Sequence, residues 1–228
     1  MSLIYSAQVG TNADVFPDIL KLYVPEGSRV IDVTYGKGVF WKKVDTGKYR
    51  LVTSDLKDGA DFRKLPYADN SFDVLVIDPP YMHTPGGSAH KGHQNYEEYY
   101  RNNKASVDPR FKYHDAVLRL YMEGIVEARR VLGDRGKIII KCQDQVCAGQ
   151  MRTTSAELIH YLVGTGWNIL DLVVVVSRNK PGISRLNGKQ KHSRRNHSYF
   201  LVAENKISPK MGTRLSQDIW PEIQACDE

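Results

Sequence analysis

The sequence is poor in the features that would place it outside the cell or within a membrane. Its 228 residues hold only three cysteines, Cys142, Cys147 and Cys226. An odd count in a chain of this length argues against a disulfide framework, and four residues separate the nearer pair where thiolate zinc sites leave two. The longest apolar stretch, Leu172 to Val176, is far too short to cross a bilayer, and no basic region followed by an apolar run opens the N-terminus. A cytoplasmic protein with no membrane association is expected. Internal repeats are lacking, and a 41% hydrophobic and 25% charged composition excludes disorder and fibrous classes. Between 178 and 203 acidic residues are also lacking, while Arg178, Lys180, Arg185, Lys189, Lys191, Arg194 and Arg195 fall there. The net charge is +6, so the rest of the chain is left at about −1. One basic strip on a nearly neutral body is the electrostatic footprint expected for a polyanion.

What is present alternates between strand and helix patterns. Arg29 to Val33, Arg50 to Ser54, Phe72 to Ile77, Lys137 to Lys141, Asn168 to Ser177 and Ser198 to Ala203 are short β-branched or apolar runs. Helices are expected at Val39 to Val44, at Asp115 to Leu132 with Gly133 as its cap, and at Thr153 to Val163. The last two strands have no helix between them. The pattern therefore predicts a mostly parallel sheet with one antiparallel strand near the C-terminal edge. The chain length suits one α/β domain over 1–228, with a loop insertion at about 82–112, a basic loop at about 178–197 and a tail from about 205.

Two motifs carry chemistry. The first, Asp32-Val33-Thr34-Tyr35-Gly36-Lys37-Gly38, leaves a strand through two glycines that let the backbone turn sharply and approach a ligand. Asp55 ends the next strand about 20 residues on, where a carboxylate can accept bonds from a ribose diol. Asp61 is placed to meet an adenine amino group, with Phe62 covering the ring. The second motif is Asp78-Pro79-Pro80-Tyr81, directly after an apolar strand. An exocyclic amine on a base is a poor nucleophile because its lone pair is delocalised into the ring. If the Asp78 carboxylate and the Pro79 carbonyl each accept an N–H, the nitrogen is drawn toward tetrahedral geometry. Pro80 fixes the turn, and Tyr81 offers a flat face for an extruded base.

These motifs together resemble the S-adenosylmethionine-dependent amino-methyltransferases of DNA adenine and cytosine. The resemblance runs from about Gln8 to Glu204 and includes the strand with Lys141, Cys142 and Asp144 and the closing run from Asn196 to Asn205. It implies a Rossmann-like class I methyltransferase fold and S-adenosylmethionine as cofactor. On this reading Asp32, Tyr35, Gly36 and Gly38 form the cofactor loop and Asp55 holds the ribose. Asp61 and Phe62 would flank the adenine, and Thr11, Asn12 and Asp14 would help close over the cofactor. An aspartate and tyrosine in the catalytic motif imply adenine more often than cytosine as target.

No large target-recognition domain is visible, so nucleic-acid contact is expected from two other segments. One is the insertion, with His83, Tyr96 and their His, Asn and Tyr neighbours; the other is the strip with Arg185, Lys189, Lys191, Arg194 and Arg195. His83, His90 and His93 have no ligand partners at metal spacing, and no metal is expected. DNA is the preferred partner, RNA the alternative, and a monomer or homodimer the expected state. Glutamine side-chain methylation and a silent scaffold subunit are the rivals from other classes; Asp78 and the intact glycine and acidic positions weigh against them.

Overall fold

The computed structural model describes residues 3–79, 114–147, 149–178 and 190–206. Its centre is built from two strands that are apolar on both faces, β4 (Phe72–Ile77) and β5 (Leu132–Cys142). Val74, Leu75, Val76, Ile77, Ile138, Ile139 and Ile140 are each at most 1% exposed. Burying one such side chain contributes about 1.5–3 kcal/mol, so this pair anchors the fold. Beside β4 lie β2 (Arg29–Asp32) and β3 (Arg50–Thr53), all parallel. On the other flank come β9 (His197–Asn205), β8 (Trp167–Val176) and β1 (Ala7–Val9). The order is β1-β8-β9-β5-β4-β2-β3, and β9 runs antiparallel to both of its neighbours. This is the expected Rossmann-like sheet with one antiparallel strand.

Helices cover both faces. On one face α1 (Asn12–Tyr23) buries Val15, Phe16, Ile19 and Leu20 against Val30, Val74, Val76, Ile139 and Phe200. On the other, α2 (His114–Val131) and α3 (Thr154–Gly164) pack on Ile31, Leu75, Ile77, Ile138 and Ile140. Odd and even positions of each strand thus serve different layers. A separate hairpin pairs β6 (Gln145–Cys147) with β7 (Gln150–Arg152).

Several expectations need correction. The segment after the glycine loop forms only a 3-10 turn, Phe40–Lys43, because Phe40 and Trp41 are drawn into the core under α1. Gly133 caps no helix: Leu132 already pairs with Phe72, so α2 passes straight into β5. Two elements ahead of β2 were not expected. β1 extends the sheet beyond β8, and α1 begins at a capping box in which Thr11 Oγ1 accepts from Asp14 N–H and Asp14 Oδ2 accepts from Thr11 N–H at 2.7 Å. The insertion at 82–112 and the tail beyond 206 lie outside the described residues.

Candidate active site

From β2 the chain moves to β3 on one side and then to β4 on the other, so the crossovers diverge between β2 and β4. Open α/β sheets bind ligands at the carboxyl ends of strands at such a point. Both motifs emerge there, one from Asp32 and one from Asp78.

The first loop is held in place by its own side chains. Asp32, 3% exposed, accepts from the Trp41 indole N–H at 2.7 Å and from Thr34 N–H at 3.0 Å. Burial pushes its carboxyl up to about 6 against the pull of these bonds. Asp32 therefore shapes the loop from beneath rather than facing outward. Gly36 and Gly38 have φ of 54° and 62°, the left-handed region that suits glycine. A Cβ on Gly38 would lie 2.6 Å from the Tyr35 hydroxyl, so Tyr35 folds back over this glycine. A Cβ on Gly36 would meet nothing closer than Thr34 O at 3.8 Å and Asp55 Oδ2 at 3.9 Å.

Asp55 joins this loop to the next strand end. Its Oδ2 accepts from Gly36 N–H at 2.8 Å and its Oδ1 from Lys57 N–H at 3.1 Å. Lys57 Nζ in turn donates to Gly36 O at 2.7 Å. Each carboxylate oxygen has a further lone pair, so Asp55 can still accept from a vicinal diol. A glycine cradle in the loop after β2, left open on the Asp55 side, and a carboxylate just beyond the end of adjacent β3 fit a nucleoside cofactor of the class implied by the sequence.

The remaining candidates divide. Asp61 is gripped by Arg63, with contacts of 2.9 Å and 2.6 Å, and Arg63 also reaches Glu123 on α2. Burial pushes the Asp61 carboxyl up, but the Arg63 bonds outweigh it and hold it below its ordinary value. Phe62 is a correction: its ring is 3% exposed and lies in the core, with the Gly124 position of α2 close against it, and has no face to offer a ligand. Thr11 serves as the α1 cap and Asn12 begins that helix. They stand at the carboxyl edge of the sheet, since Gly10 N–H donates to Val176 O at the end of β8. Lys43 reaches Asp14 at 2.5 Å and ties α1 to the turn after the glycine loop.

Asp78 continues β4, and its N–H donates to Thr34 Oγ1 at 2.7 Å. This bond fastens the start of the second motif to the first. Pro79 is buried. Pro80, Tyr81, His83, His90, His93, Tyr96, Arg185 and Lys189 lie outside the described residues.

Of the basic strip, Lys191 and Arg194 are exposed and Arg195 half-buried. The strip returns along the β6–β7 hairpin: His192 Nε2 lies 3.0 Å from Gly149 O, and Arg195 contacts Met151. The hairpin, whose paired Val146 and Met151 are both exposed, was not foreseen as a neighbour of the strip. Thr34 and Trp41 were likewise missed as supports. Thr34 lay inside the quoted motif, but only the strand register reveals that it meets Asp78.

Among the described residues no helix is long and apolar enough to cross a membrane, and no three His, Cys, Asp or Glu side chains gather to hold a metal ion. No family model and no curated protein matches the chain. Among solved structures it is similar over 85% of its length to TrmN from Thermus thermophilus, at 16% identity and a TM-score of 0.48, covering 48% of that chain. A second Thermus thermophilus structure, complexed with S-adenosyl-L-methionine, matches over 83% at 15% identity and a TM-score of 0.43, covering 61% of that chain. The third, 1,6-didemethyltoxoflavin-N1-methyltransferase from Burkholderia thailandensis, matches over 86% at 13% identity and a TM-score of 0.47, covering 79% of that chain. The chain thus spans about half the length of TrmN and about three fifths of the second structure.

Proposed function

We propose that the protein transfers a methyl group from S-adenosylmethionine to the exocyclic amine of a nucleic-acid base, with adenine in DNA as the preferred target. The observation that carries this reading is the Asp78 N–H to Thr34 Oγ1 bond, which keeps the amine-binding motif beside the glycine loop. Gly36 would give the cofactor's amino-acid part close backbone approach, with Tyr35 over Gly38 walling the cradle, while Asp55 would supply its ribose bonds and Asp61 a bond to its adenine amine. The cofactor supplies an electrophilic methyl on a sulfonium.

The chain's own residues then act on the nucleophile. The Asp78 carboxylate and the Pro79 carbonyl accept the two N–H bonds of the target amine and localise its lone pair toward the methyl. Positioning makes the transfer effectively intramolecular. The surplus proton leaves to solvent after transfer, so no side chain of the motif acts as an obligatory base. Tyr81 would stack on the extruded base, and Lys191, Arg194 and Arg195, with Arg185 and Lys189, would neutralise phosphates.

The test is transfer of labelled methyl to matched single- and double-stranded DNA and RNA, followed by nucleoside mass spectrometry. N6-methyladenine in DNA is the expected product. Label confined to RNA or to cytosine would replace the target, and cofactor binding without transfer to any polymer would overturn the reading.

A further inference from the structure

One charged side chain at this end of the sheet belongs to neither motif. Lys141 occupies the central strand β5 and is 1% exposed. It shares the α1 face with Ile139 and Phe200, because alternate β5 residues face opposite layers. The parallel register pairs Val76 with Ile139 and Ile77 with Ile140, so one step further sets Lys141 level with Asp78. Asp32 ends β2 on this same face, two residues beyond Val30.

A buried ammonium is costly unless something compensates it. The neutral contacts of Lys141 are weak: Nζ lies 3.4 Å from Tyr199 O and 4.8 Å from the Phe200 ring centroid. Its neighbours can be named element by element. Cys142 adjoins it on β5, and Tyr199 and Phe200 flank it on β9. From α2 the Tyr121 hydroxyl donates to Lys141 O at 2.8 Å and fixes the backbone. The α1 layer brings apolar side chains, its Asp14 being paired with Lys43 at the rim, and Asp32 is engaged by Trp41 and Thr34. Asp144, beyond Cys142, accepts from Ser155. The carboxylate level with Lys141 on the neighbouring strand is Asp78, which favours the ammonium through the field across the β4–β5 register rather than through a direct ion-pair contact.

We propose that Lys141 is a positioning residue for the amine-binding carboxylate, its buried ammonium serving as the counter-ion that keeps Asp78 ionised and aimed at the incoming base. The inference rests on the function proposed above and deepens it. Burial pushes the Lys141 amine down to about 8 while Asp78 pulls it back up, so the ammonium persists at neutral pH. An ionised Asp78 is the form that can accept an amine N–H. Removing the cation raises the Asp78 carboxyl and lets it protonate where the native protein stays active.

The experiment compares the full chain with Lys141→Met and Lys141→Arg. In Lys141→Met the acid limb of the kcat–pH profile moves up by at least one unit, a tenfold loss of kcat below the limb, and Lys141→Arg restores its position. Without cofactor or substrate, the Asp78 carboxyl is followed by carbon NMR, its signal assigned by loss in Asp78→Asn. Its midpoint rises in Lys141→Met, and reciprocally the Lys141 midpoint falls in Asp78→Asn, a variant that tests the pair should Lys141→Met not fold. Unmoved midpoints in both directions overturn the inference. If the native protein methylates no nucleic acid, the functional reading fails while the NMR arm still decides whether Lys141 and Asp78 are electrostatically coupled.

Discussion

Asp32 illustrates a carboxylate whose role is to shape its neighbours. Its pKa is raised from 3.8 to about 6 chiefly by burial. Between these values the folded protein holds a proton that the unfolded chain has released, so stability falls as pH rises from about 4 to 6. The two-unit shift corresponds to about 3 kcal/mol. Asp32→Asn removes this dependence, although its amide must face one of the two donors and sets a lower plateau. Denaturant titrations at pH 4.5 and 7.5 read the difference; an equal drop in both proteins would contradict the assignment. At this scale the sequence was partly misleading. Asp32 ends β2, and Asp61 and Phe62 lie in the connection from β3 to β4; all are of the right type, yet which way each faces is decided by tertiary packing, and Phe62 went to the core.

At the scale of elements, α2 and β4 approach each other through Gly124. A Cβ there would lie 2.7 Å from Ile77 Cδ1 and 3.1 Å from the Phe62 ring. Gly→Ala in a helix normally gains about 1 kcal/mol, but here overpacking reverses the sign. Gly124→Ala is expected to lower stability by about 1–3 kcal/mol and, because Ile77 precedes Asp78, to slow transfer as well. An unchanged or raised denaturation midpoint would show that α2 is not seated as closely as described. Strands β4 and β9 were legible because doubly buried strands read as continuous apolar runs, and β8 because Leu172 to Val176 is an unbroken apolar run, although only Val173 and Val175 of that run are buried. α1 was not, though Ala13, Val15, Phe16, Ile19 and Leu20 carry its periodicity, since Pro17 interrupts the pattern. β1 has three residues at an edge, and the β6–β7 hairpin is too polar to signal itself.

For the whole molecule, the division between a nearly neutral body and a basic strip sets the expected binding behaviour. Replacing Arg185, Lys189, Lys191, Arg194 and Arg195 with Gln should flatten the dependence of log K on log salt by about 0.7–0.9 for each phosphate no longer neutralised. Binding titrations at several salt concentrations measure this, and an unchanged slope would remove the strip from the interface. The overall architecture was legible because strand–helix alternation and two strand-end motifs constrain a Rossmann-like sheet strongly. The bond from Asp78 to Thr34 was not, because it depends on the β2–β4 register. The decisive measurement is cofactor affinity together with methyl transfer, in the native protein and in Asp78→Ala. S-adenosylmethionine affinity should stay within about threefold of native, below the ~1.4 kcal/mol that a tenfold change represents, with transfer abolished. Equal loss of both, or retained transfer, would contradict the role assigned to Asp78.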